Sequence, residues 1–208
     1  MRLLTFCAMV GAWAGPAVAG TLDVRVTDAA GRPVADAVVI VRAVGRATPL
    51  PRRTNALKVE QRDLQFHPFV TIVPVGSSVS FPNFDKTRHH VYSFSAPKKF
   101  ELKLFASEQS RSVTFDKAGV VAIGCNIHDQ MAAFLYVSDS AWTARSDARG
   151  VASIDGLPAG AVSVSLFHPY LRAPGSVVAR SMTLSGGRQT AQFAVNLRAP
   201  PPTMRHGY

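Results

Sequence analysis

Cysteine is scarce in this 208-residue chain, which holds only Cys7 and Cys125. Acidic residues are few, 13 against 23 lysines and arginines. Beyond residue 20 there is no run of about 20 unbroken apolar residues, the length a membrane-crossing helix needs. Nothing there repeats with the 3.6-residue period of a long amphipathic helix. These absences exclude a disulfide framework, long helices and a transmembrane segment after residue 20.

The one long apolar stretch is at the start. "MRLLTFCAMVGAWAGPAVAG" has a single basic residue, Arg2, then an apolar run, then Ala17-Val18-Ala19 before Gly20. This is the layout of a secretory signal with a small-x-small cleavage site. Gly11, Gly15 and Pro16 interrupt the run too often for a membrane anchor. Thr5 and Phe6 precede Cys7 where a lipid-anchor site takes small residues. Residues 1–19 are therefore expected to be removed, leaving a periplasmic or secreted protein. Cys125 is then the sole thiol. In an oxidising compartment a lone thiol is either buried and inert or held by a metal.

The formal net charge is +10, and it falls to +9 without Arg2 (22 basic minus 13 acidic). The basic residues are scattered and form no stripe with stacking aromatics, so nucleic acid is not the expected partner. The balance suits an acidic protein or membrane surface better.

Short alternating runs dominate after residue 20, among them "TLDVRVTD", "AVVIVRAV", "FVTIVPV", "HVYSFS", "GVVAIG", "AAFLYVSD" and "AVSVSLFH". Val, Phe, Ile and Ser fill them, and Gly, Pro, Asn and Asp separate them. Many short strands spaced by roughly 8–12 residues predict an all-β fold of Greek-key sandwich type. "GRATPLPRRTNA", residues 45–56, carries prolines and arginines without apolar periodicity and reads as a linker or long loop. Residues 57–138 follow as one compact set of strands. The tail 198–208, rich in proline, is expected to be disordered.

The flanks match each other better than the middle. "GTLDVRVTDAAGRPVADAVVIVRA" gives strand, turn, strand; "ARSDARGVASIDGLPAGAVSVSLFHPYL" repeats the scheme with Asp147, Gly150 and Leu157-Pro158-x-Gly160. Together they resemble the carboxypeptidase regulatory-like β-sandwich, with Ser146 in place of its usual threonine. The resemblance implies a discontinuous sandwich of residues 20–44 and 143–197, with residues 57–138 inserted as a separate domain.

The chemistry concentrates in "GCNIHDQM", residues 124–131. Cys125-x-x-His128-x-x-Met131 sets three soft-metal donors on one loop between two predicted strands. Thiolate and thioether select Cu(I), and imidazole suits both copper states. Zinc favours further strong ligands, and thioether is a poor one. Nucleophilic Cys-His chemistry accounts for the pair but leaves the methionine unused. A fourth donor is expected from "SFPNFDKTRHHVYSFS", which offers His89 and His90. Neighbours on an extended chain point to opposite faces, so one of the two reaches the metal. Asn83 and Asp85 are expected to brace that loop by side-chain to backbone hydrogen bonds. His67 and His168, each before a proline, read as surface or core; His206 lies in the tail.

"SVSFPNFDKTRHHVYS" and "GVVAIGCNIHDQMAAFLYV" resemble the two copper loops of cupredoxins, the small blue-copper proteins. The spacing is similar to the short ligand loop of the amicyanin type. The resemblance covers residues 57–138. It implies one copper ion held by His89, Cys125, His128 and Met131, with His90 standing where the family has an asparagine. It implies an electron carrier that meets a redox partner protein, with the edge of His128 and the nearby Met131, Ala132 and Ala133 as the route. A copper carrier or storage module without redox turnover is the alternative, usually marked by Met- or His-rich stretches. An enzyme is not expected, because cupredoxin-based enzymes need His-x-His pairs and the chain has none.

Overall fold

Strand β1 (Gly20–Asp28) shows why this chain forms sheets: Leu22, Val24 and Val26 are fully buried and alternate with more exposed residues. That period of two is the signature of a strand covered on one face. A computed structural model describes residues 19–200. The expected signal sequence up to residue 18, and the tail from 201 onward, lie outside the described residues. The described residues hold 17 strands in five sheets, and the fold is all-β as expected.

Two sheets enclose a first core. One has the order β14 (Val151–Leu157), β1, β17 (Arg188–Val195), with β1 antiparallel to β14 and parallel to β17. The other is antiparallel, β13 (Thr143–Arg145), β2 (Val38–Ala43), β15 (Gly160–Phe167), β16 (Val177–Leu184). Leu22, Val24, Val39, Val41, Trp142, Val164 and Phe193 are part of this core. Both flanks of the sequence thus contribute to one hydrophobic cluster.

A second core lies between β10 (Ser110–Phe115), β7 (Ser77–Pro82), β3 (Leu57–Lys58) and a five-stranded sheet. That sheet has the order β6 (Val70–Pro74), β12 (Ala132–Ser138), β11 (Gly119–Gly124), β8 (His89–Ser93), β9 (Phe100–Phe105). Phe66, Phe81, Phe105, Phe115, Val121 and Leu135 fill it, together with Cys125 and Met131. A small hairpin, β4 (Glu60–Arg62) and β5 (Gln65–His67), stands at its end.

Strand β2 is buried on both faces and β12 is buried on one and half-buried on the other, and this joins the two halves. Val39 and Val41 enter the first core, whereas Val38 and Ile40 enter a third cluster with Val70 and Phe167. Ala133, Leu135 and Val137 of β12 enter the second core, while Phe134 and Tyr136 pack on the third. Sheet faces that would meet water are stacked against each other instead. Phe69 extends the contact, meeting Phe134 edge-on at 5.5 Å and Tyr170 at 5.8 Å. Arg145 closes the edge, its Nη1 donating to Asp36 Oδ1 (2.6 Å) and to the Val70 carbonyl (3.1 Å).

Segment 45–56 contains no strand, as expected, yet it is pinned. The Ala141 amide donates to the Pro49 carbonyl at 2.8 Å, and the Thr54 amide to Ser77 Oγ at 2.9 Å. The tail is anchored at its beginning, against the expectation of disorder from 198. The Arg198 amide donates to the Tyr170 carbonyl (2.8 Å) and its guanidinium to the Pro169 carbonyl (3.0 Å). These backbone acceptors are invisible in a proline-rich composition.

Candidate metal centre

The loop before β8 is built around Asn83, which is fully buried. Its Nδ2 donates to the carbonyls of Thr87 (2.9 Å) and Phe105 (3.2 Å), and its Oδ1 accepts from the Asp85 amide (2.9 Å). The expected bracing by Asn83 and Asp85 is present. Strand β8 then begins with a register shift against β9, between His89 and Val91. Such an irregularity re-aims the side chains beside it. His89, fully buried, turns toward the loop after β11; His90, 6% exposed, turns to Glu101 with Nε2 2.9 Å from Oε1.

Loop 125–131 connects the last pair of the β11–β12 hairpin, Gly124 and Ala132. It closes on its own backbone: the Cys125 amide donates to the Met131 carbonyl (3.1 Å), and the Met131 amide to the His128 carbonyl (3.0 Å). This folds the three spaced donors of the motif back on one another. A Cβ at position 124 would lie 3.2 Å from the Tyr92 ring and hydroxyl, a tight contact that glycine avoids.

The two loops converge. Donor atoms of His89, Cys125 and His128 all lie within 4.8 Å of one another. Cys125 Sγ is 3.7 Å from His128 Nδ1, and the two imidazole rings are 4.9 Å apart. His89 Nε2 is engaged with Asp85 Oδ2 at 2.7 Å, which leaves Nδ1 buried and without a hydrogen-bond partner. A buried polar atom with no partner is costly unless something else meets its lone pair. Typical bonds of about 2.0–2.1 Å to nitrogen and 2.3 Å to sulfur separate the two donors by about 3.5–3.8 Å at trigonal or tetrahedral angles. The spacing of Cys125 and His128 fits a metal ion.

Met131 is buried at 1% exposure and lines, with Cys125, Tyr92, Phe94 and Phe134, a surface depression of about 470 Å³. Ala132 and Ala133 are buried as well, whereas His128, the ligand edge expected to form the route, is half-buried. Exposed apolar side chains by the two loops are Ile127 (48%), beside His128, Phe84 (50%), in the His89 loop, and Phe94 (79%), in the depression with Cys125 and Met131. His90 forms no hydrogen bond to loop 125–131; its partner is on β9. His67 is exposed and His168 buried, both away from the donor group. Burial holds the His168 imidazole at a pKa of about 4, against its ordinary 6.5.

Sequence reasoning assigned Asp85 a backbone role and missed its bond to His89. The carboxylate also accepts from the amides of Asp63 (2.7 Å) and Leu64 (3.1 Å) in the β4–β5 turn. Burial raises its pKa, but the hydrogen bonds from His89 and the two amides outweigh that and hold it below the ordinary 3.8. The four-residue spacing of Asp85 and His89 was the available signal.

No family model matches the sequence, and no curated protein matches it. Among solved structures the chain is similar to a copper-containing nitrite reductase (NirK) from Thermus scotoductus SA-01. That likeness has 25% identity over 55% of this chain and 28% of that one, with a TM-score of 0.38. It is also similar to a purple cupredoxin from Nitrosopumilus maritimus (19% identity, 39% of this chain, 99% of that one, TM-score 0.36). A methionine-to-glutamine variant of amicyanin in its Cu(I) form gives 24% identity over 39% of this chain and 81% of that one, TM-score 0.37. With every one of these TM-scores below 0.5, the reading of the site stands on its own donors.

Proposed function

We propose that the protein binds one copper ion, which His89, Cys125 and His128 would hold with Met131 as a weaker fourth donor, and serves as an electron carrier. The observation that carries this reading is the grouping of buried His89 with a thiol and a second imidazole, their donor atoms within 4.8 Å of one another; His90 shares the unpartnered Nδ1 but lies outside that group. Two imidazoles, one thiolate and a nearby thioether form the donor set that suits copper in both oxidation states, whereas structural zinc sites take four strong protein ligands. Bound there, copper would supply a one-electron couple. The chain's own part is to hold the donors still: β8 fixes His89, and the hydrogen-bonded 125–131 loop fixes the other three.

This carrier would be exported, as the N-terminal sequence suggests, and would not be an enzyme. A partner protein with an acidic face would suit the basic net charge of +10, with exposed Ile127, next to His128 in the chain, and Phe84, in the His89 loop, as apolar contacts. The flanking sandwich would act as a scaffold stacked behind β6 and β12. Voltammetry of the copper-loaded protein tests the carrier role. A reversible one-electron wave with the ion retained through repeated cycles is expected. Release of copper on reduction would instead point to delivery or storage.

A further inference from the structure

We propose that Asp85 is a positioning residue that fixes His89 as its Nε2-protonated tautomer and biases the site toward the more highly charged state of a bound ion. The inference rests on the metal-site reading above. An ionised carboxylate only accepts hydrogen bonds. The 2.7 Å contact therefore requires the proton to be on His89 Nε2, and it leaves the Nδ1 lone pair without a hydrogen-bond partner, on a ring grouped with Cys125 and His128. His89 is fully buried, so no water competes for either nitrogen.

The carboxylate is itself held by a built support. Asp63 (φ 54°) and Leu64 (φ 56°) both adopt left-handed backbone, uncommon for residues other than glycine. Successive amides in such a turn make a concave anion site. Here both amides donate to Asp85, one to each oxygen. The turn is tied to the His89 loop by buried Gln61: its Nε2 donates to the Phe81 carbonyl (3.2 Å), and its backbone carbonyl accepts from the Phe84 amide (2.8 Å). The support thus runs from hairpin to carboxylate to imidazole. Glu101, beside His90, provides a contrast: it is 59% exposed at its side chain and no amide bond to its carboxylate occurs among the described residues.

A fixed negative charge one imidazole ring from the ion stabilises Cu(II) more than Cu(I). Second-sphere partners of this kind alter metal affinity by about 10–100-fold. In the metal-free protein, ¹⁵N-edited NMR of the histidines should show His89 protonated at Nε2; protonation at Nδ1 would overturn the proposal. This readout needs no copper, so its failure is separate from a failure of the wild type to bind copper, which would sink the function proposed above. In the copper-loaded protein, Asp85→Asn keeps the size and an acceptor but removes the charge. It should lower Cu(II) affinity about tenfold more than Cu(I) affinity, which raises the potential by about 59 mV, and Asp85→Glu should recover part of this. Equal loss of both affinities, or an equal rise in Glu101→Gln, would mean that Asp85 only supports the fold or adds general charge. If Asp85→Asn does not fold, the tautomer measurement on the wild type still decides.

Discussion

The rings of His89 and His128 meet edge-on, with centroids 4.9 Å apart and planes at 66°. One ring is carried by a sheet strand and the other by a hairpin loop, so the pair is where the two halves of the metal centre touch. His89→Ala should abolish stoichiometric copper binding, whereas His90→Ala should bind copper normally and lose only stability. Copper titration monitored by competition with a chromophoric chelator checks this. If His90→Ala fails to bind while His89→Ala binds, the ligand register is off by one.

Copper should stabilise the fold through Cys125. An ion at 100 times its dissociation constant adds about 2.7 kcal/mol, which in a chain of this size raises Tm by roughly 5–10 °C. Cys125→Ser should lose most of that rise in a calorimetric scan. An equal rise in the mutant would place the binding elsewhere.

His168 makes stability depend on pH. Buried behind the Tyr170 turn, it accepts the Tyr170 amide on Nδ1 at 3.2 Å, and its folded pKa is about 4 against 6.5. The unfolded chain therefore binds a proton first as pH falls. The stability from this group is complete above pH 6.5 and is lost progressively down to about pH 4, a total of about 3 kcal/mol. Denaturant titrations of metal-free protein at pH 7 and 4.5 should differ less in His168→Gln than in wild type. An unchanged slope would show that other groups set it.

The stacked sheets are a structural rather than a chemical feature. Ile40 is fully buried in the contact between them, so Ile40→Ala should destabilise the protein by about 2–5 kcal/mol. It should leave copper stoichiometry unchanged. Loss of copper binding at a temperature where the variant is still folded would contradict that separation.

The donors on loop 125–131 are readable because their spacing is local; divergence of neighbours on a strand shows only that one of His89 and His90 joins them, and the choice of His89 comes from the resemblance. Which histidine faces the site depends on the irregular start of β8, a long-range pairing with β9 that no local pattern reveals. Strands β2 and β12 read as alternating runs, although "VVIV" and "AAFLYV" are nearly continuous apolar stretches that suit a strand covered on both faces. What covers their second faces is each other's sheet, a contact between segments far apart in sequence. Asp85 was legible as a loop residue only. Its support comes from the β4–β5 turn, where two non-glycine residues take left-handed backbone that their side chains do not advertise.

The visible absorption and electron paramagnetic resonance spectra of the oxidised, copper-loaded protein test the central claim most directly. A Cys125 thiolate on Cu(II) beside two imidazoles should give intense charge-transfer colour and a narrow copper hyperfine splitting. Cys125→Ser should remove the colour, and Met131→Leu should keep it while shifting the potential. A colourless oxidised protein with stoichiometric Cu(II) bound would contradict the account.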